Sequence, residues 1–379
     1  MTRRWLLVSG DFVPTGGMDA ALLGLASYLA ASDTVEIVAH RVARPLRDNP
    51  NVLFHRAVRP AGKHLLGAPF LRWAGFWRAR SLRNSGARIV CNGGNSAGSD
   101  INWVHYVHAA YAPQSTLGSW RRIKQWLTHR LNVWSERRSI LGSRIVVCNS
   151  VRTASDVSSA LSVPADRIHV VYYGSDPARF PEVSGEERTT AREELTPTDG
   201  HRPFVVFVGS LGDRRKGFDT LYHAWKHLVS ETEWDGLLWV VGQGAERHLW
   251  EARSRDDGVS DSIRFLGFRT DVPRILAAAD VLVHPARYEA YGLGVHEAIC
   301  RGIPAIVSRS AGIAELYPTE LQALLLSDPN SASELAERLQ FWRSHLQAWP
   351  EMMTSFSRRL RQRTWDDMSA DFVEAVNID

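Results

Sequence analysis

Two glutamates, Glu289 and Glu297, are separated by the seven residues AYGLGVH. The apolar run DVLVH before them is typical of a strand, and the cluster Gly292, Leu293 and Gly294 is typical of the start of a helix. Open α/β sheets bind ligands outside the carboxyl ends of their strands. Because a glycine-opened helix N-terminus offers N–H groups to a diphosphate, we expect the two carboxylates to face hydroxyls, such as those of ribose and hexose. A solvated loop acid and an acid near a helix N-terminus are the alternative interpretation.

The surroundings of this pair resemble glycosyltransferase family 4, whose members have the GT-B fold and share a Glu, seven residues, Glu motif. The agreement includes Ala279-Asp280-Val281, Pro285, Ala298, Gly302-Ile303-Pro304, Gly312 and Glu315. The resemblance implies that Glu289 contacts the donor sugar, as a catalytic residue, and that Glu297 binds the ribose hydroxyls. It also implies donor contacts for the helix start at Gly292, Leu293 and Gly294. One departure is Ala290-Tyr291, where the family usually has Gly-Phe.

A basic turn follows the predicted strand PFVVFVG and contains Arg214, Arg215 and Lys216. This segment resembles the family's phosphate-binding segment, with Ser210 in the position where the family often has an arginine. A departing nucleoside diphosphate gains negative charge, so a fixed cation there lowers the barrier to transfer. We therefore predict that Lys216 is catalytic and that Arg215 and Ser210 lie at the donor. A solvated basic turn is the alternative, although helix N-termini disfavour cations.

Other donor contacts are implied by the resemblance. They are Gln243, in a Gly-Gln-Gly turn, and Phe268 and Arg269, which would lie near the nucleobase. In the first half of the chain, the loop of Gly16 and Gly17 precedes a helix, and its backbone amides could approach the diphosphate. Ordinary tight turns explain these glycines as well.

Two histidines close the predicted strand INWVHYVH. Many family members carry a histidine at this strand's end, near the donor's hexose or the reacting carbon, and His108 matches it best. We predict that His108 is catalytic and that His105 also points towards the cleft. A structural role is the alternative interpretation for a lone histidine. Asn149, after a later strand, is expected to face the same cleft.

The alternation of short β-branched runs with helix-period stretches predicts an α/β fold with parallel sheets. The charged and turn-forming residues 182–203 interrupt this rhythm and are predicted to be a linker. We expect a GT-B arrangement of two Rossmann-like domains facing across a cleft. The N-terminal, acceptor-binding domain would comprise residues 1–180 and 362–379, with the C-terminal helix crossing back to it. The nucleotide-sugar-binding domain would comprise residues 200–361.

The resemblance implies a retaining glycosyltransferase, with same-face substitution and no covalent protein nucleophile. The sequence has no DxD motif, so we expect no metal and no other cofactor. The expected reaction moves a hexose from a nucleotide sugar to a saccharide or lipid-linked saccharide in polysaccharide or glycoconjugate synthesis. UDP-glucose is favoured as donor by its frequency in the family. The alternatives are a catalytically silent, membrane-associated GT-B scaffold and a nucleotide-dependent oxidoreductase, whose GxGxxG spacing the Gly16-Gly17 loop lacks.

The positive charge is concentrated in residues 55–138, which contain fourteen Lys/Arg but only the acids Asp100 and Glu136, although the whole chain carries only +4. Apolar residues of residues 119–142 recur at helical spacing among these charges: Trp120, Ile123, Leu127, Leu131 and Trp134. A basic helix rich in tryptophan suits an anionic bilayer, and the stretch HLLGAPFLRWAGFWRARSLR has the same character. A core-facing helix with a solvated basic side is the alternative. Nucleic acid is not expected as a partner, because no recognition module accompanies the charge.

The predicted environment is cytoplasmic. Cys91, Cys148 and Cys300 show no paired spacing and lie in apolar or mixed runs, so we expect reduced, buried thiols. No uninterrupted apolar stretch approaches the ~20 residues of a membrane-spanning helix. Peripheral attachment to the inner face of the cytoplasmic membrane is the accompanying hypothesis.

Overall fold

The computed structural model describes residues 3–114, 118–195, 202–212, 214–231 and 233–377, of which residues 64 and 119–121 are described by their backbone alone. The chain forms two compact units. The first comprises Met1–Ala112, Gly118–Gly174 and Arg363–Asp379, and the second comprises Pro113–Leu117 and Ser175–Gln362.

The first unit is built on one parallel sheet. Its strands are β1 (Arg4–Val8), β2 (Asp11–Phe12), β3 (Thr34–Ala39), β4 (Arg41–Val42), β5 (Val52–Arg56), β6 (Arg88–Asn92), β7 (Ile101–Val104), β8 (Ile145–Cys148) and β9 (Ile168–Val170). Its helices before residue 175 are α1 (Gly17–Ala30), α2 (Arg44–Arg47), α3 (His64–Leu82), α4 (Ser119–Gly142) and α5 (Val151–Leu161). In the described residues the sheet order is β5-β3-β1-β6-β7-β8-β9, and β2 pairs separately with β4.

The second unit repeats this plan. Its helices are α6 (Gly185–Leu195), α7 (Phe218–Glu231), α8 (Arg247–Asp256), α9 (Val272–Ala278), α10 (Leu293–Cys300), α11 (Ala332–Ser344) and α12 (Trp349–Gln362). Its strands are β10 (Phe204–Val208), β11 (Leu237–Val241), β12 (Ile263–Gly267), β13 (Val281–His284), β14 (Ala305–Ser308) and β15 (Leu325–Leu326). The parallel order β12-β11-β10-β13-β14-β15 reverses direction between β10 and β13, which makes that junction the topological switch point. The predicted α/β class with two Rossmann-like sheets is confirmed.

The last helix, α13 (Trp365–Val376), belongs to the first unit. Thr364 and Asp367 form a capping box that starts it. Phe372 is fully buried, with its ring 4.8 Å from that of Trp103 on β7. A Cβ added to Gly24 of α1 would lie only 3.0 Å from the Trp365 Cβ. The predicted return of the C-terminal helix to the first unit is therefore confirmed.

The prediction of a linker at residues 182–203 is wrong over residues 185–195, which form α6. Ala191 packs with Ala277 and Ala278 of α9, and Arg188 and Arg192 both form salt bridges with Asp280. This helix is fixed mainly by charges and small residues, so it lacks the apolar stripe by which sequence reasoning recognises a helix. Residues 196–201 lie outside the described part of the chain.

The three cysteines are buried and free, as predicted. Within the described residues, no helix combines the length and the hydropathy needed to cross a bilayer.

Candidate functional site

Two loops meet at the switch point of the second unit. β10 and β13 are parallel neighbours, with Val205 opposite Val281, so residues 209–217 and 285–292 leave the same edge of the sheet. Gly217 has a φ of +70°, and a Cβ there would lie 1.8 Å from the Pro285 carbonyl oxygen. The close approach therefore requires glycine, and it brings Lys216 beside the loop that carries Glu289.

Lys216 and Glu289 form an ion pair in which the lysine Nζ contacts Oε2 of the carboxylate. The same oxygen lies 2.8 Å from Nε2 of His284, the last residue of β13. Burial alone would raise the pKa of Glu289, but the charge of Lys216, the His284 hydrogen bond and the charge of Arg215 outweigh it and hold the pKa well below its usual range. Burial and the Lys216 charge lower the pKa of His284. Because an ionised carboxylate only accepts, we assign a neutral imidazole that donates from Nε2.

Arg287, which was not predicted from the sequence, fixes the basic turn. Its guanidinium donates to both carboxylate oxygens of Asp219 at 2.7 and 2.8 Å and to the Arg214 carbonyl at 2.6 Å. Its backbone N–H donates to the Arg215 carbonyl at 2.8 Å. Arg214 has a φ of +56°, which is unfavourable for a residue with a Cβ. Arg287 therefore holds an otherwise strained turn in the conformation that presents Lys216.

The second glutamate lies on the helix that follows this loop. Gly292 caps α10 with a φ of +109°, and a Cβ there would lie 3.0 Å from Ile313 Cγ2. Glu297 is therefore carried on the same loop and helix as Glu289, one to two turns beyond the start of α10. Burial raises the pKa of Glu297 to about 7, although the nearby Arg179 charge opposes the shift. The two glutamates of the motif thus differ in charge state near neutral pH.

Four other residues predicted at the donor follow neighbouring strands of this sheet. Ser210 follows β10 and Gln243 follows β11, and both are exposed. Phe268 follows β12 with 69% of its surface exposed. The Arg269 guanidinium donates to both carboxylate oxygens of Asp271, from Nε at 2.8 Å and from Nη2 at 2.5 Å. The Arg269 side chain is partly exposed.

The glycines around Gln243 have a structural reason. A Cβ on Gly242 would lie 1.8 Å from the Gly209 carbonyl oxygen, and one on Gly244 would lie 2.3 Å from the Leu211 carbonyl carbon. The Leu211 N–H also donates to the Gln243 carbonyl at 3.1 Å. The Gly-Gln-Gly turn therefore packs closely against the loop after β10. This packing explains both glycines structurally, in line with the alternative interpretation of an ordinary tight turn.

The predicted residues of the first unit occupy two places. Gly16 caps α1 with a φ of +92°, and Gly17 is the first residue of the helix. His108 lies in a short 3-10 turn, His108–Ala110, beyond the end of β7 rather than on the strand. The buried Glu136 of α4 holds this turn by accepting the N–H groups of His108 at 2.8 Å and Ala109 at 3.1 Å. Burial raises the pKa of Glu136 to about 7, against the effect of these two hydrogen bonds.

His105 and Asn149 are interior residues. His105 hydrogen-bonds the Tyr173 hydroxyl through Nδ1, and burial lowers its pKa to about 3. The Asn149 amide donates to the His105 carbonyl and the Tyr173 hydroxyl, and its oxygen accepts from Thr153. Only 1% of the Asn149 surface is exposed, so the prediction that it faces a cleft is wrong. The polar ends of these two side chains instead both form hydrogen bonds with the Tyr173 hydroxyl.

The structure thus brings together Lys216, Arg215 and Glu289, and it adds His284 and Arg287. His284 had a detectable signal, because it ends a strand next to the motif. Arg287 had none, since its role depends on contacts with residues about seventy positions earlier. In the part of the chain that the structure describes, no group of three or more His, Cys, Asp or Glu side chains could hold a metal ion; independence from metal stays a prediction.

We predict that Arg287→Ala lowers the free energy of unfolding by about 3 kcal/mol, because it removes both short hydrogen bonds from the largely buried Asp219 carboxylate and leaves the longer 3.9 Å contact with Arg214. Chemical denaturation measures this. The matched control is Arg343→Ala, which removes an equally bidentate but exposed pair with Asp235 and should cost less than about 1 kcal/mol. Equal losses of unfolding free energy in the two variants would contradict the role assigned to Arg287.

We predict that Glu297→Gln and Glu289→Gln change stability in opposite directions. The raised pKa of Glu297 means that ionisation destabilises the folded state as the pH rises from 4.5 through about 7. Glu297→Gln should therefore be more stable than the unmodified protein at pH 8, by about 2 kcal/mol, and equal to it near pH 4.

Glu289 has a lowered pKa, so its charge stabilises the fold above about pH 4.5, and this stabilisation is lost as the pH falls through the folded-state pKa. Glu289→Gln should be destabilised at pH 8, with the difference shrinking in acid. Melting temperatures across this pH range test both variants, and shifts of the same sign would refute the assigned charge states.

Comparison with known proteins places this geometry in a family. The family model "Glycosyltransferase Family 4" matches residues 15–179, and the model "Glycosyl transferases group 1" matches residues 202–342. An uncharacterised glycosyltransferase of Methanocaldococcus jannaschii is 28% identical over 62% of this chain and 60% of its own length. The lipopolysaccharide glucosyltransferase WaaG of Escherichia coli is 35% identical over 33% of each chain. The alignments therefore span between about a third and three fifths of these relatives' lengths.

Solved structures agree over the whole chain. A crystal structure of WaaG superposes with a TM-score of 0.72 at 21% identity, covering 97% of this chain and 99% of its own. The Anabaena protein HepE, in complex with UDP and glucose, superposes with a TM-score of 0.71 at 18% identity over the full length of both chains. These likenesses establish the GT-B fold. With both halves matched by glycosyltransferase models, the chain belongs to the GT-B glycosyltransferases of the family 4 type.

Proposed function

We propose that this protein is a retaining glycosyltransferase that moves a hexose from a UDP-sugar, of the UDP-glucose type, to a saccharide or lipid-linked saccharide. The observation that carries the proposal is the pairing of Lys216 with Glu289 at the switch point of the second unit. In this proposal the second unit binds the nucleotide sugar and the first unit binds the acceptor. The UDP complex of HepE, on the same fold, supports the choice of nucleotide.

Lys216 and the start of α10 serve the leaving diphosphate. Lys216 lies beside Glu289 and brings a fixed positive charge to which the oxygens of a diphosphate are attracted. The amides of Leu293 and Gly294 precede the first hydrogen bonds of α10, which run from Val295 and His296 to the Gly292 carbonyl, and they stand at the positive end of the helix. As the sugar bond breaks, charge grows on the diphosphate, and these fixed donors stabilise the transition state more than the ground state.

Glu289 serves the sugar. Its ionised carboxylate can only accept hydrogen bonds, and Lys216 and His284 both contact Oε2. Oε1 is then the oxygen that accepts from a hexose hydroxyl. A carboxylate with so low a pKa is a weak nucleophile, which supports same-face substitution over a covalent sugar–enzyme intermediate.

Glu297 serves the ribose. A diol donates two hydrogen bonds most strongly to an ionised carboxylate, whereas Glu297 is only partly ionised near pH 7. Nucleotide binding should therefore release protons and strengthen as the pH rises through about 7. Gly16, Gly17 and His108 are proposed to complete the donor site from the first unit, with His108 held in place by Glu136.

No metal enters this scheme, since Lys216, Arg215 and helix amides supply the positive charge that a divalent ion would otherwise provide. For the acceptor, we propose a substrate at the cytosolic face of the membrane. Two observations support such an acceptor. The relative WaaG is described as a lipopolysaccharide glucosyltransferase, and its solved structure as that of an enzyme of lipopolysaccharide biosynthesis. The second observation is the basic segment of this chain, residues 55–138.

We predict that UDP or UDP-glucose raises the melting temperature of the purified protein in the presence of EDTA, because a ligand that binds only the folded state stabilises it. Differential scanning fluorimetry with UDP, GDP, ADP and NAD compounds measures this. Lys216→Ala should lose most of the shift. Stabilisation that requires a divalent ion, or that comes only from NAD, would overturn the proposal.

Slow hydrolysis of UDP-glucose provides the test of activity. We expect free glucose to appear with the unmodified protein and to fall by about 100-fold or more in Glu289→Ala and Lys216→Ala, the size expected for loss of a group that stabilises the transition state. Arg343→Ala, which removes an exposed ion pair with Asp235, should retain most of the rate. Donor binding without any turnover across donors and acceptors would instead favour a silent scaffold.

A further inference from the structure

Helix α4 carries its apolar residues on the outside. Ile123, Trp126, Leu127, Leu131 and Trp134 are each 50–58% exposed, whereas the face towards the first unit presents Ser135, Glu136 and Ser139 in buried hydrogen bonds. At 3.6 residues per turn, Leu127 lies directly opposite Glu136. The alternative of a core-facing apolar stripe is therefore wrong for these residues; the Trp120 side chain lies outside the described residues.

Helix α3 has the same inverted pattern. Its inner face consists of small residues and a few aliphatic ones, and a Cβ on Gly75 would lie 2.6 Å from Val8 Cγ1. Its outer face presents Phe70, Trp73 and Trp77, which are 47–68% exposed. Gly75 brings this helix close to the sheet, and Leu71 and Leu82 fill its inner side, whereas the aromatic side chains lie on the side that faces solvent.

The two helices are joined. Arg72 of α3 donates to the Ser135 hydroxyl of α4 at 2.7 Å and to the Gly94 carbonyl at 3.0 Å. Gly94 lies so close to α4 that an added Cβ would be 2.7 Å from the Ser135 hydroxyl oxygen. The outer residues Phe70, Trp73, Trp77, Leu127, Leu131 and Trp134 therefore lie on two neighbouring helices, and we call them the α3–α4 face.

The charges around the α3–α4 face are of one sign. Helix α3 contains no acidic residue, and the one acid of α4, Glu136, is buried. Arg130 and Arg138 stack on Trp126 and Trp134 at 4.9 and 5.7 Å. Within the described residues, Arg130, Arg137 and Arg138 have no carboxylate within salt-bridge distance. Their positive charge is therefore available to an external anionic surface.

We propose that the α3–α4 face docks the first unit on an anionic lipid bilayer. Exposed apolar patches of this kind mark interaction sites, and tryptophan among arginines suits the bilayer interface, where rings enter the headgroup layer and guanidinium groups meet lipid phosphates. A second copy of the chain is a poorer occupant, because a symmetric contact would bring unneutralised arginines together. This docking deepens the proposed function, because it makes the acceptor a molecule held in that leaflet.

The test is co-sedimentation of the full chain with phosphatidylcholine vesicles, with and without about 30% phosphatidylglycerol, in about 0.1 M NaCl. We expect binding to the anionic vesicles and weak binding to the neutral ones. Arg130→Gln/Arg137→Gln/Arg138→Gln and Trp73→Ser/Trp77→Ser/Leu127→Ser/Leu131→Ser should each lower the partition coefficient by about tenfold or more. Because these side chains face solvent, the melting temperature without vesicles should not change.

The matched control is Leu249→Ser/Arg255→Gln on α8, an exposed apolar and basic pair of the second unit, which should bind as the unmodified protein does. Absence of binding to anionic vesicles, or equal binding by the serine variant, overturns the proposal. So does a dimer, seen by sedimentation velocity, that the serine variant abolishes without any vesicle binding. The shift in melting temperature with UDP, measured on the same variants, separates failure of docking from failure of the proposed enzyme function.

Discussion

The ion pair between Lys216 and Glu289 is the interaction on which the second unit's site depends. Removing both charges from water costs several kcal/mol in general, and mutual attraction offsets that only when further hydrogen bonds satisfy the remaining groups. The structure provides these contacts: His284 donates to the carboxylate, and Arg287 fixes the turn that carries the lysine. Gly217 permits the close approach of the two loops. The strand order, the turn geometry and the surrounding charges thus all support this one contact.

The opposed charge states of Glu289 and Glu297 follow from their surroundings. Both are glutamates on one loop and helix, yet Glu289 lies beside a lysine and a histidine donor, whereas the Arg179 charge counters the burial of Glu297 without outweighing it. A group that must remain ionised is placed beside a fixed cation. A group that binds hydroxyls without such a cation is left near its titration point, where a bound diol can complete its ionisation.

The first unit follows a different physical logic. Its helices α3 and α4 face the sheet with glycine, serine, one buried glutamate and a few aliphatic side chains such as Leu71 and Ile140, and they direct tryptophan, phenylalanine and several leucines outward. Such exposure forgoes the stabilisation of roughly 1.5–3 kcal/mol that burial of each large apolar side chain would provide. Glu136 connects this arrangement to the proposed site, because the same carboxylate that replaces an apolar contact beneath α4 also holds the turn of His108.

The sequence alone determined the α/β class, the family and the return of the last helix, and it placed Glu289, Gly292 and Lys216 in segments that follow predicted strands, because strand periodicity and motif spacing are local properties. It misjudged α6 and Asn149, whose roles are set by partners far away in the chain. It also left open which side of α4 faces water, since periodicity finds a stripe but not its direction. Only the tertiary structure decided these points, and it alone revealed the role of Arg287, because a guanidinium that fixes a turn is recognised only from its contacts with residues far away in the sequence.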